Sequence, residues 1–232
     1  VARDGALPLS FAQRRLWFLH QSDKRSPVYN IPAPVRIPGY LDAMALRRSI
    51  NEIVRRHEAL RTTFRTVDGQ PVQVVAPALS VPLEITDLRS LPPQQREVEA
   101  QRLVAAEAQR PFDLARGPLL RTALLRLDDA DHVVLLTMHH IVSDGWSMGV
   151  FYRELSELYN AFCRGQPSPL KELPIQYADF AHWQQQWLQG EVLERNLAFW
   201  KEQLRGIPEL LNLPTDRPRP AVQSFRGAIQ PF

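Results

Sequence analysis

The stretch TMHHIVSDGWSMG, Thr137 to Gly149, concentrates the groups in this chain best able to move protons. Two adjacent imidazoles, His139 and His140, end an apolar run, and Asp144 follows four residues after the second. An imidazole titrates near neutral pH, so it can take a proton from a nucleophile or hold one against developing charge. Successive side chains of a strand point to opposite faces. While the strand persists, one histidine can line a cavity and the other must enter packing. Asp144 falls where a helix should begin, and a carboxylate there satisfies free backbone N–H groups. Gly145 allows a tight turn or a close approach of the backbone. The same residues also fit two hydrogen-bonded core histidines and a capping aspartate, and residue types alone leave both readings open. A metal centre is disfavoured, since nothing nearby supplies a third ligand at familiar spacing. Cys163 is the single cysteine, which excludes a disulfide framework and a thiolate cluster within the chain.

Several elements must position this motif. The stretch PLSFAQRRLWFLHQ predicts a helix entered through Ser10, with Gln13 three residues on completing a capping box. Asp42 opens a second helix, whose Leu46, Ile50, Ile53, Val54 and His57 share one face. TTFRTV and PVQVV read as a hairpin about Asp68-Gly69. A polar-faced helix follows, with prolines at its start and a stop at Pro111. PLLRTALLRL and HVVLLTMHH flank DDAD as a second hairpin. Its second strand is apolar on both faces, as in the middle of a sheet. A helix is expected from about Trp146 to Phe162, aligning Phe151, Leu155, Leu158, Tyr159 and Phe162. The proline-rich RGQPSPLKELP reads as a connector. Two amphipathic helices, YADFAHWQQQWLQ and LERNLAFWKEQLRG, come next, and the tail is expected to open a strand.

With 232 residues, 44% hydrophobic and 23% charged, the composition is that of a folded soluble domain. The net charge of +3 is small, and the basic residues are scattered among acids. No nucleic-acid stripe is visible. The apolar run Val133–Leu136 is far too short to span a bilayer, so a cytoplasmic protein without membrane contact is expected.

HHIVSDG resembles the HHxxxDG signature of condensation domains of nonribosomal peptide synthetases, a signature shared with chloramphenicol acetyltransferase-like acyltransferases. SFAQRRLWFL (Ser10–Leu19), RHEALRTTF (Arg56–Phe64) and YADFAHW (Tyr177–Trp183) resemble the first, second and fourth core motifs of that family. SDGWSMGV and AQRRLWFL resemble the type joining an L-donor to an L-acceptor. The resemblance implies an α/β (α+β) fold, namely a chloramphenicol acetyltransferase-like lobe with a mixed sheet flanked by helices. Residues 1–170 would form that lobe. Residues 171–232 would be a connector and the beginning of a C-terminal lobe, so the chain reads as truncated and, alone, inactive.

The implied reaction is amide formation between a donor aminoacyl or peptidyl thioester and an acceptor amine. Both substrates ride on phosphopantetheine of donor and acceptor peptidyl carrier proteins, beside an adenylation domain, and no cofactor is bound by the domain itself. By resemblance, His140 and Gly145 are catalytic. His139, Asp144 and Arg56 or Arg61 support the motif, one arginine pairing with Asp144, and Arg56 is the favoured one. Trp146 and Ser147 wall the channel, although a packed tryptophan is the plainer expectation for Trp146. Tyr177 and Trp183 are expected in a helix core. Two other readings are kept: a non-catalytic carrier-docking module, and a stand-alone small-molecule acyltransferase.

Overall fold

The computed structural model describes residues 1–3, 6–218 and 220–221. The end of the tail, where a strand is expected to open, lies outside the described residues. Two compact units are present, Val1–Gln186 and Trp187–Phe232.

The first unit is organised about two long strands, β7 (Leu120–Asp128) and β8 (Asp131–His139), which pair antiparallel as the DDAD hairpin predicts. On its other edge β8 pairs antiparallel with two short strands in succession, β2 (Asn30–Pro32) and β3 (Val35–Pro38). Strand β6 (Leu83–Asp87) adds to β7 in parallel, so the sheet is mixed. A smaller antiparallel sheet holds β1 (Leu7–Pro8), β5 (Gln70–Val75) and β4 (Thr62–Val67). Its β4–β5 hairpin turns at Asp68-Gly69, both with positive φ.

Because β8 has partners on both edges and helices over both faces, residues 132–139 are all buried. Val134, Leu136 and Met138 pack with Ile50, Ile53, Phe151 and Leu158 of helices α2 (Ala43–Arg56) and α4 (Gly145–Cys163). The alternating Val133 and Leu135 face Ala100, Leu103 and Val104 of α3 (Pro93–Gln109). Fully burying a side chain of this size contributes about 1.5–3 kcal/mol, so the two apolar faces together hold the strand against a register slip.

The caps follow the sequence. In α1 (Phe11–Ser22), Ser10 Oγ accepts from Gln13 N–H at 3.2 Å and Ser10 N–H donates to Gln13 Oε1 at 2.9 Å. Asp42 caps α2 by accepting from the N–H groups of Met44 and Ala45.

Helix α5 (Tyr177–Trp187) is short, and only its alanines Ala178 and Ala181 are buried. Tyr177 is 37% and Trp183 51% exposed, so neither is the core residue that its type suggested. Hydrogen bonds hold α5 to the first unit: Tyr177 Oη lies 3.0 Å from Ser10 Oγ, and Arg3 grips Asp179 with two 2.9 Å bonds. The compact unit accordingly continues past the boundary expected at residue 170. In the second unit, α6 (Gly190–Gln203) has no buried residue.

Helical spacing alone missed one buried polar centre. Arg56, 3% exposed, places Nε and Nη2 each 3.3 Å from Glu154 on α4, also buried at 6%. Its Nη1 donates to the carbonyls of Lys171 at 2.7 Å and Leu170 at 3.4 Å, and His57 Nε2 lies 2.9 Å from the same carboxylate. Burial pushes the Glu154 carboxyl up, but Arg56 and His57 outweigh it and hold the group below its ordinary value. Removing one partner strands a buried charge, which costs about 3–5 kcal/mol. Glu154→Ala is therefore expected to lower the unfolding free energy read from urea titration by that order. Glu52→Ala, which breaks the Glu52–Arg55 pair on the half-exposed face of α2, should change it by well under about 1 kcal/mol.

Candidate active site

Side-chain alternation along β8 decides which histidine faces outward. His139 shares parity with Val133 and Leu135, and its ring is enclosed by His20, Phe112 and Tyr29 at centroid distances of 6.1, 6.0 and 6.4 Å. His139 is 3% exposed, and its Nδ1 accepts from Ile141 N–H at 3.1 Å, which leaves the proton of the neutral ring on Nε2. Burial, helped by His20 and His140, pushes its pKa down from 6.5 to about 4. His140 shares parity with Leu136 and Met138 and is exposed. Its backbone stays in the ladder through His140 N–H to Tyr29 O at 2.8 Å, so the main chain continues the strand pairing here although β8 has formally ended.

His140 opens on a cavity of about 470 Å³. Ile53, Leu60, Met138 and Phe151 give it an apolar floor, and Leu173 and Ile175 of the connector form an outer wall. The buried Arg56–Glu154 pair secures this wall, since Arg56 binds the connector carbonyls at residues 170 and 171. Gln176 adds a second fastening. Its Nε2 donates to Arg56 O at 2.8 Å and its Oε1 accepts from Glu58 N–H at 3.0 Å.

Asp144 caps α4 as expected, accepting from Ser147 N–H at 2.8 Å and Ser147 Oγ–H at 2.6 Å. The Ser147 side-chain bond, then its backbone bond, draws the carboxyl below its ordinary value. Its expected arginine partner is a correction. Arg56 is spent on Glu154 and the connector, while Arg61 donates to Ala76 O and sits 3.7 Å from Glu58. Among the described residues, Asp144 is held by its own helix and not by either arginine.

Trp146 and Ser147 are among the residues that line the cavity, and Trp146 stands 86% exposed at the mouth instead of packing. Gly145 is not among the lining residues, and a Cβ built there would meet nothing within 4 Å. In this unit, then, no close approach demands a glycine at position 145. Spacing also missed three polar wall residues, His57, Gln176 and Gln13. Spacing puts His57 on a core face and Gln13 in a cap alone. Only Gln13 carried a usable signal, because a capping box employs just the oxygen of its amide. Among the described residues no group of three or more His, Cys, Asp or Glu is placed to hold a metal, and no helix is long and apolar enough to cross a membrane.

A mixed sheet between helical layers, with an exposed histidine at a strand end beside an apolar cavity, defines a chloramphenicol acetyltransferase-like lobe. The sequence matches the Condensation domain family over residues 3–232, and the chain belongs to that family. It is 54% identical to a linear gramicidin synthase protein of Brevibacillus parabrevis over 98% of this chain and 3% of that protein. Among solved structures, it resembles the first condensation domain of the CDA synthetase, with a TM-score of 0.79 and 28% identity. That match covers 91% of this chain and 53% of that one. It also resembles the X-domain in its complex with OxyB from teicoplanin biosynthesis, with a TM-score of 0.77 and 32% identity, over 96% of this chain and 48% of that one. The chain thus spans about half the length of these solved relatives and a small part of the synthase.

The buried His139 yields a pH prediction. A group whose folded pKa lies below its unfolded value binds more protons when unfolded, so stability is intact above about pH 6.5 and falls as the pH drops towards about 4. That window corresponds to a loss of about 3 kcal/mol, and His20, also lowered chiefly by burial, adds in the same direction. Urea midpoints measured from pH 7 to pH 4 should fall steeply. His139→Asn, which keeps an acceptor for Ile141 N–H, should flatten the dependence while lowering the midpoint at pH 7.

Proposed function

We propose that this chain is the catalytic lobe of a condensation domain that joins a donor aminoacyl or peptidyl thioester to an acceptor aminoacyl amine. Both substrates would be tethered through phosphopantetheine to peptidyl carrier proteins in a synthetase that also holds an adenylation domain. The observation that carries this reading is the division between the two histidines: His139 is locked neutral in packing, while His140 is exposed on an apolar cavity with no ring hydrogen bond among the described residues.

In that reaction the amine nitrogen attacks the thioester carbonyl carbon. A C–N bond forms, the C–S bond breaks, and the departing thiol carries away the proton lost by nitrogen. An α-amine has a reference pKa of about 7.7–8.0, so much of it is already neutral near physiological pH. His140 therefore acts by accepting a hydrogen bond from the attacking amine as much as by removing its proton. General-base help is worth about 10²–10⁴-fold, and holding two tethered reactants in line contributes several kcal/mol more. Asp144 serves by starting α4 correctly, which sets Trp146 and Ser147 at the cavity mouth. Gly145 contributes through its backbone at that turn. A second lobe, of the length that completes the solved relatives, would supply the facing wall.

A carrier-bound donor and a carrier-bound acceptor, assayed by mass spectrometry, test the proposal. The chain completed to the length of its solved relatives is expected to form the dipeptide, and residues 1–232 alone are not. His140→Ala in the completed chain should reduce the rate at least about 10²-fold with carrier binding retained. A docking module is the second reading, favoured by the similarity to an X-domain found in complex with OxyB. Carrier binding without peptide formation in any form of the protein would select it.

A further inference from the structure

Gln13 has a free donor where the proposed reaction needs one. Its Oε1 accepts from Ser10 N–H at 2.9 Å. A backbone N–H can only donate, so the amide must turn its oxygen to Ser10 and its NH₂ the other way. Gln13 is 2% exposed, yet it lines the cavity on which His140 opens. Its Nε2 makes no hydrogen bond among the described residues. It is also absent from the fully enclosed polar atoms without a partner, which are Asn30 Oδ1, Arg61 Nε and His132 Nδ1. The NH₂ therefore borders open space, and for so buried a residue that space is the cavity.

Several other polar side chains of the wall are already committed. Gln176 is spent on Arg56 O and Glu58 N–H, Ser147 on Asp144, and the Tyr177 hydroxyl on Ser10. His57 Nε2 is spent on Glu154. Between them the surface is apolar, and there a fixed donor acts more strongly than it would in water.

We propose that Gln13 contacts substrate, its Nε2 donating to the oxygen of the carbonyl that is attacked beside His140. This rests on the amide-forming reading above. As the C–N bond forms, the carbonyl π pair moves onto oxygen, where the Gln13 N–H meets it. The pair returns as the C–S bond breaks, and sulfur leaves with the proton that nitrogen loses. The capping box holds the donor rigid, so no reorganisation is needed as the charge appears. The cap and the carbonyl contact use opposite ends of one amide.

Gln13→Glu separates the two roles. Glutamate completes a capping box as well as glutamine does, and a negative charge suits a helix N-terminus, so α1 should start normally. The NH₂, however, is replaced by a carboxylate. In the natural full-length protein we expect α1 to keep its helical circular-dichroism signal, with a melting temperature lowered by the buried charge, and a fall in kcat for dipeptide formation of roughly 10²–10³-fold, as when one oxyanion donor is removed. KM for the carrier-bound substrates should change little. Gln13→Met, similar in size but with neither donor nor acceptor, should show the same kcat loss together with a lower melting temperature. Wild-type turnover by either variant, with His140→Ala inactive, overturns the role of Gln13 and leaves the proposed reaction standing. Undiminished turnover by His140→Ala overturns the role of His140, and carrier binding without any dipeptide from the wild-type protein overturns the reaction itself.

Discussion

The pleat of β8 is the constraint on which the rest of the site depends. The strand is paired on both edges and packed on both faces, so a slip of one residue would exchange the environments of Val133, Leu135 and His139 with those of Val134, Leu136 and Met138. His139 is kept in packing and His140 out of it for the same reason. The arrangement costs one neutralised imidazole, which is why His139 sits at about pKa 4 and why acid should loosen this part of the fold first.

A second constraint lies across the cavity from the strand. A buried ion pair is weak evidence for stability, since desolvating both charges offsets much of their attraction. Arg56 and Glu154 therefore make more sense as a fixture. The guanidinium has donors to spare after meeting the carboxylate, and it uses them to hold the connector carbonyls at residues 170 and 171. With Gln176 pinned across the backbone of Arg56 and Glu58, a proline-rich segment that cannot form a regular element becomes a fixed wall. The motif RHEALR thus serves the site from the far side of the cavity and not by touching Asp144.

Helices α1 and α2, both hairpins and α4 were legible because each depends on neighbours in sequence: a cap such as Ser10, Asp42 or Asp144, an apolar face at helical spacing, a turn at Asp68-Gly69. The errors concern partners distant along the chain. Arg56 was expected to pair with Asp144 because no local rule reveals Glu154, 98 residues away. Tyr177, Trp183 and Trp146 looked like core because large aromatics usually are, whereas α5 buries only its alanines and Trp146 stands at an open mouth.

By itself the sequence determined which chemistry was available: an imidazole at the end of a buried strand, an acid to start the next helix, and four motifs in the order of a known family. It also determined that His139 and His140 must differ, since alternation is a property of any extended backbone. Alternation alone left open which was which, because that depends on the side of the sheet where α2 and α4 leave a gap, and the tertiary structure decided it. It alone turned one end of the Gln13 amide into a cap and left the other end facing the cavity. Local rules act over a few residues along the chain. A cavity is made by surfaces that meet only after the chain has folded.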